Sequence, residues 1–238
     1  MAGSPRRTQI LAIAAFAAVV IVVLIAVNVS GTDDGSGGAG GIETSAAEAT
    51  ALFEGIPQSG TVLGAPEAPA TLTEFADLQC PFCAEFATEA LPAVVEDFVR
   101  PGELALDFQA LTFIGPDSEE AARMAEAAGL QDQLWQFVGV FYANQGTENS
   151  GYVDEGFLTE IGSALPDLDV EAALADRDSP DVDAALAAAR KLADELGVDS
   201  TPSFVLTPKG GEPQLLEVAS LDSEEFTAAL EAVLGNGQ

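Results

Sequence analysis

The hydrophobic pattern divides the chain into one unbroken apolar run, a glycine-rich stretch and a long periodic region. Ile10 to Val27 is an 18-residue run with no charged or polar side chain. As a helix it extends about 27 Å, enough for one membrane crossing. Arg6 and Arg7 precede it, which predicts residues 1–9 on the cytoplasmic side and 10–28 as a single transmembrane helix or signal segment. Everything that follows is then extracytoplasmic. Gly31 to Gly41 holds six glycines and two aspartates and has nothing to bury, so residues 29–50 are predicted to be a flexible linker.

From residue 51 the pattern becomes that of a folded domain. Thr61–Leu63 reads as a short edge strand, and Thr71–Phe75, rich in β-branched and aromatic residues, as a strand. Phe82, Phe86, Ala90, Val94 and Phe98 recur at four-residue spacing, the stripe of a helix that Pro92 should kink. Leu104–Leu111 alternates as a second strand. Residues 118–196 are nearly strand-free, with helices predicted over Ala121–Ala128, Gln131–Tyr142, Phe157–Leu165, Val170–Ala175 and a stretch from Val182 that Gly197 stops. Strands at Ser203–Thr207 and Gln214–Val218 and a helix over Glu224–Leu234 complete the order. It is that of an α/β sheet covered by helices, with residues 118–196 as a helical insertion.

Composition narrows the chemistry. The chain has 39 acidic and 8 basic residues, no histidine and a formal charge of -31, yet it is 48% hydrophobic. It therefore has material for a core, unlike a disordered acidic tail. Every acid lies beyond Thr32, a distribution that repels nucleic acid and, being screened at molar salt, fits a halophilic setting. Without histidine, imidazole catalysis and histidine-ligated metals are excluded. The exit from the apolar run, Ala26 to Gly31, offers only a weak cleavage site, and Pro5–Leu11 loosely fits a twin-arginine export signal. Retained anchor and cleaved signal both entail export.

Cys80-Pro81-Phe82-Cys83 contains the only two cysteines. The pair follows a predicted strand and opens a predicted helix. There a thiolate is stabilised by free backbone N–H groups, and Cys83, one turn on, can attack a mixed disulfide at Cys80. Redox exchange is the reading this context favours. A structural disulfide over so short a ring would stabilise by about 2.5 kcal/mol at best, and half of a zinc site would need two further ligands from carboxylates or another chain.

Thr71 through Cys83 resembles the active-site region of the DsbA-type branch of the thioredoxin superfamily, in particular its membrane-anchored, exported members. Phe53–Gly60 upstream, Ala121–Arg123, Trp135–Phe137 and Tyr142–Gln145 in the helical block, and Val198–Phe204 continue the resemblance. It implies a thioredoxin-like fold with an inserted all-helical subdomain. It also implies an attacking Cys80, a resolving Cys83, and a Thr201–Pro202 cis-proline loop that, with Pro81 and Phe82, receives substrate. Glu74 stands where the superfamily carries a buried acid for proton transfer, with Asp77 as competitor and a surface acid on an edge strand as the bland alternative. Trp135 and Phe137 are read as packing residues. No metal and no cofactor is implied.

The function so implied is an exported thiol–disulfide oxidoreductase that introduces disulfides into exported proteins and is anchored in the cell membrane by one span. Its partners would be exported proteins with free thiols or disulfides and a quinone-linked membrane enzyme of the DsbB or vitamin-K-epoxide-reductase-like type. The alternatives are a disulfide reductase or isomerase using the same pair, and a non-enzymatic tethered binding or chaperone module. Two departures bear on direction. Phe82 stands where the branch's strong oxidants often carry histidine, and the surrounding acids are expected to raise the Cys80 pKa; both destabilise the reduced form and move the potential toward that of a reductant or a balanced exchanger. Ser200 replaces the glycine that many relatives place before the Thr-Pro pair.

Overall fold

Strand β3 (Ala70–Ala76) is the axis of the fold. It pairs in parallel with β4 (Ala105–Ala110) and antiparallel with β5 (Ser203–Pro208). β1 (Gln58–Ser59) and β2 (Val62–Leu63) extend the sheet beyond β4, and β6 (Gln214–Leu215) beyond β5. The order is β1-β2-β4-β3-β5-β6 among the described residues. These observations come from a computed structural model, which describes residues 39–235. The predicted anchor or signal segment, its cytoplasmic flank and most of the predicted linker lie outside them. No helix among the described residues is long and apolar enough to cross a membrane.

The period of two in a strand sends alternate β3 side chains to opposite faces. Leu72 and Ala76 join the main core with Leu106, Phe108, Phe204 and Leu206. Phe75 joins a smaller cluster with Leu111, Val205 and Val198. The main face is covered by a helical stretch in four pieces, α2 (Pro81–Glu85), a π-turn (Phe86–Ala90), α3 (Leu91–Val94) and a second π-turn (Val95–Val99). The first π-turn lies directly before Pro92, whose missing N–H cannot close a helical bond to the Thr88 carbonyl. Thr88 also back-bonds through Oγ1 to the carbonyl of Ala84 at 2.9 Å, which favours a bend. The kink expected at Pro92 is thus taken up as a widened turn. Phe86 of this helix, Phe204 of β5 and Phe226 of the C-terminal helix α9 (Ser223–Gly235) form a triangle with ring centroids 4.6–4.9 Å apart.

The insertion contains α4 (Pro116–Gly129), α5 (Leu134–Ala143), α6 (Glu155–Ser163), α7 (Val170–Asp176) and α8 (Pro180–Leu196). The all-helical subdomain is as the polarity pattern predicts. α8 ends at Gly197 with φ 72°, a left-handed C-cap that glycine adopts without a Cβ penalty. Trp135 and Phe137 are buried core residues, and the Trp135 indole N–H donates to the carbonyl of Thr61 at 2.9 Å.

One expectation fails within the described residues. Residues 39–50, predicted to be flexible linker, form most of helix α1 (Ala39–Phe53). Glycine and alanine density masked a weak apolar stripe, Ile42, Ala46, Ala49 and Phe53, which is buried in the main core. Small side chains carry little hydropathy signal but allow close packing: a Cβ on Gly139 of α5 would meet the Cβ of Ala49 at 3.2 Å.

Charge is arranged economically. Each of the six basic residues among the described ones, Arg100, Arg123, Arg177, Arg190, Lys191 and Lys209, is paired with at least one acid. The acid is exposed in every pair, although Arg123 and Arg177 are themselves half-buried, and ion pairs open to solvent contribute at most about 1 kcal/mol each. Two further acids, Asp107 on β4 and Glu126 on α4, are pushed up by burial, Glu126 to about 7 with the charge of Asp107 adding to the effect.

Two predictions follow from the packing. Ile42→Ala should destabilise the protein by about 2–5 kcal/mol in denaturant unfolding, whereas a linker residue would show no effect. A raised carboxyl keeps its proton in the folded state after the unfolded chain has lost it, so stability falls as pH rises through the interval up to about 7. Glu126→Gln should therefore stabilise by up to about 3 kcal/mol at about pH 8 and by almost nothing near pH 4.

Candidate active site

Three chain segments meet at one end of the sheet because of strand direction. β3 and β4 run parallel, so both end there. β5 is antiparallel to β3 with Ser203 opposite Phe75 and Phe204 opposite Glu74, so β5 begins there. Cys80, just past the end of β3, is thereby set beside the residues just before β5. Its thiol donates to the carbonyl of Thr201 at 3.4 Å, and the Thr201–Pro202 peptide bond is cis.

Cys80 is the N-cap of α2 with φ -74° and ψ 120°, and Pro81 follows at the first helical position, where its missing N–H costs nothing. Both cysteines carry free thiols and both are buried, but the rim around them is accessible. Pro81 is exposed, Phe82 is 60% exposed, and Thr201 and Pro202 are half-buried. The four residues predicted to receive substrate thus lie on the two segments that meet at Cys80.

The two thiols differ sharply. Cys80 is lowered to about 6, first by a hydrogen bond from the Cys83 thiol, and further by the Thr201 side chain and the N–H groups of Cys83 and Phe82; burial opposes them. Cys83 is pushed well above its ordinary value by burial, then by its bond to Cys80 and by the charges of Cys80 and Glu74. The expected upward pull of the surrounding acids on Cys80 is therefore not what governs this thiol. Donors in direct contact outweigh distant, solvent-screened charge.

Glu74 lies on central β3 at 4% exposure, which removes the edge-strand alternative. Its carboxyl is pushed up to about 8 by burial, then by the Cys80 charge. Its Oε1 is buried without a hydrogen-bond partner. Asp77 is fully buried but differently placed. Its carboxylate accepts from the backbone N–H groups of Gln79 at 2.8 Å, Phe113 at 2.8 Å and Ile114 at 3.1 Å. Asp77 ties the loop before Cys80 to the loop after β4; Glu74 has an unpaired oxygen to offer.

Sequence reasoning missed a set of polar contacts from the insertion. Tyr142, Gln145, Asn149 and Tyr152 all touch residues 77–80. Tyr142 and Gln145 lie in a segment that marks the resemblance, but periodicity carries no signal for the hydrogen-bond partner of a polar residue, whether inside α5 like Tyr142 or beyond its end like Gln145.

A dithiol at a strand-to-helix junction, facing a cis-proline loop across a sheet of this topology, defines the thioredoxin-like class of redox protein. The family described as thioredoxin matches residues 58–232. The probable disulfide bond formation protein D of Bacillus cereus is 33% identical over 154 residues, covering 63% of this chain and 71% of that protein. Oxidised BdbD from Bacillus subtilis has a TM-score of 0.64 at 22% identity, covering 76% of this chain and 97% of that one. A thioredoxin-like oxidoreductase from Silicibacter pomeroyi has a TM-score of 0.57 at 29% identity, covering 77% and 96%. The chain belongs to the thioredoxin family. Within it, the protein is a DsbA-like thiol–disulfide oxidoreductase that catalyses exchange through a CxxC pair.

The asymmetry of the thiols is directly measurable. Alkylation of the reduced protein should modify Cys80 with a half-maximal rate near pH 6 and leave Cys83 unmodified through neutral pH. Cys83→Ala should move the Cys80 titration upward, since it deletes the leading thiolate donor; ultraviolet thiolate absorbance checks both.

Proposed function

We propose that this exported thiol–disulfide oxidoreductase works mainly as an oxidase, with Cys80 as the attacking cysteine and Cys83 as the resolving one. The observation that carries the direction is the lowered Cys80 thiol. A thiolate stabilised only in the reduced form draws the couple toward the dithiol. Moving a thiol from 9.0 to about 6 favours the reduced form about tenfold at pH 7, roughly 1.4 kcal/mol or 30 mV.

In the forward reaction a substrate thiolate attacks Sγ of Cys80 in the Cys80–Cys83 disulfide. The electron pair of the broken bond goes to Sγ of Cys83, which takes a proton because its thiol form is strongly preferred. Glu74, protonated near neutrality and with a free buried oxygen, is the group we assign to deliver that proton and to remove it on reoxidation. The substrate's second thiolate then attacks its own sulfur in the mixed disulfide and expels Cys80 as a thiolate, already the stable form at neutral pH. Two electrons have passed from the substrate dithiol to the enzyme, with one proton held on Cys83 and the other released to solvent because Cys80 stays a thiolate. Pro81, Phe82, Thr201 and Pro202 form the apolar and backbone rim against which an extended substrate segment lies.

The remaining assignments belong to the same proposal. Residues 10–28 anchor the protein in the cell membrane with the catalytic domain outside, or direct its export. A quinone-linked membrane enzyme takes the electrons from Cys80 and Cys83, and an anchor on the same membrane raises the effective concentration of the pair. The substrates are exported proteins with free thiols. The acidic excess, 39 acids to 8 bases, suits a salt-rich medium.

Equilibration of the Cys80–Cys83 couple in glutathione buffers at several salt concentrations tests the reading. The oxidase assignment expects a potential toward the oxidant end, about -120 mV, and is overturned by one near -270 mV. Halophilic adaptation expects refolding to improve with salt and fails if it is salt-independent. Cys80→Ser should abolish oxidation of a dithiol peptide; retained function would make the protein a binding module. Glu74→Gln should slow exchange by about 10²-fold and flatten its pH dependence around 8, whereas an unchanged profile would exclude Glu74 from proton transfer.

A further inference from the structure

Residues 77–80, which carry the chain from the end of β3 into α2, contact the insertion at every position. Tyr142 Oη donates to the carbonyl of Asp77 at 3.2 Å. The Gln145 side-chain amide donates to the carbonyl of Leu78 at 2.7 Å and to that of Cys80 at 3.2 Å. Gln79 donates to Tyr152 Oη at 2.8 Å and accepts from the backbone N–H of Asn149 at 2.9 Å. This grip is tightly built. The Tyr152 ring lies against Gly146 so closely that a Cβ there would meet it at 2.8 Å.

We propose that Gln145 is a positioning residue for the exchange reaction: by holding the carbonyls of Leu78 and Cys80 it fixes Cys80 as the N-cap of α2, with Sγ facing the free N–H groups of the first turn. The Cys80 carbonyl already accepts the first helical bond, from Ala84 N–H at 3.2 Å. Gln145 occupies the second acceptor direction of that oxygen and ties it to Leu78, two residues back. The 78–79 and 80–81 peptide planes, on either side of the peptide that joins Gln79 to Cys80, cannot then rotate independently. Two electrostatic consequences follow. The N–H groups of Phe82 and Cys83 stay directed at Sγ. The negative ends of the two carbonyl dipoles beside the sulfur are covered by a donor, so they repel the thiolate less. The insertion thus adjusts the acidity of a cysteine that belongs to the thioredoxin core.

The inference rests on the CxxC dithiol but not on the direction in which it works, because the acidity of Cys80 is read on the isolated reduced protein. Gln145→Leu removes the amide at nearly constant volume. The control is Gln131→Leu, which also deletes paired bonds to backbone, Nε2 to the Asp169 carbonyl at 3.0 Å and Asp169 N–H to Oε1 at 2.8 Å, outside residues 77–80. Q145L is expected to raise the Cys80 pKa by about one unit and to shift the glutathione equilibrium about fivefold toward the disulfide at neutral pH. Q131L is expected to lower unfolding stability without moving either quantity. Should Q145L fail to fold, Gln145→Glu, equal in size, supplies the same reading with a larger upward shift. If the Gln145 variants lose stability as Q131L does while pKa and equilibrium stay at wild-type values, Gln145 is a structural support only and the proposal falls.

Discussion

The contact on which the rest depends is the meeting of the end of β3 with the start of β5. Their antiparallel register, Phe75 opposite Ser203, brings residues separated by 121 positions to within 3.4 Å at Cys80 and Thr201. Every chemical property of the site is conditional on that junction. The junction leaves Cys80 at the mouth of a helix, aligns the accessible rim of Pro81, Phe82, Thr201 and Pro202, and seats Glu74 on the sheet face beneath the CxxC helix. The aromatic triangle of Phe86, Phe204 and Phe226 is buried in the main core with Cys83, and burial dominates the behaviour of both Glu74 and Cys83.

The electrostatics show a local effect prevailing over a global one. A chain of charge -31 is an adverse setting for a thiolate, yet Cys80 is acidic. Direct donors act over one bond length through low-dielectric surroundings, while surface carboxylates act through solvent that screens them within about a nanometre. The basic residues among the described ones are paired with acids and do not act on Cys80, which is governed by Cys83, Thr201 and backbone N–H groups. The protein carries its acidic surface without surrendering the chemistry of one cysteine.

The insertion has a part in this beyond packing. Its apolar helices fill the core against α1 and β4, and its polar residues around 142–152 hold the backbone that delivers Cys80. The apolar role was legible in the sequence, because Leu134, Phe137, Val138 and Phe141 fall at helical spacing. The polar role was not, since a glutamine beyond a helix end has the same appearance whether it faces solvent or a carbonyl 65 residues away. Glu74 and Asp77 illustrate the same limit. Both are acids near the cysteines in sequence; only the strand pairing and the loop after β4 distinguish the unpaired carboxyl from the one saturated by N–H groups. Helix α1 was misread for a different reason. Alanines and glycines bury well against another helix but hardly register as hydrophobic, so its stripe was taken for linker.

By itself the sequence determined the order of strands and helices from Val62 onward, the helical character of the insertion, the redox-capable cysteine pair and, through its resemblance, the kind of protein in which such a pair works. The first three follow from local periodicity, from breakers such as Pro92 and Gly197, and from a short motif whose spacing is itself the chemistry; the last follows from the resemblance of Thr71–Cys83 and Val198–Phe204 to the DsbA-type branch. Tertiary structure alone decided which acid keeps an unpaired buried oxygen, which donors surround Cys80, and which insertion residues contact its backbone. These are properties of distance and solvent exclusion between segments remote along the chain, and only the closed sheet brings them together.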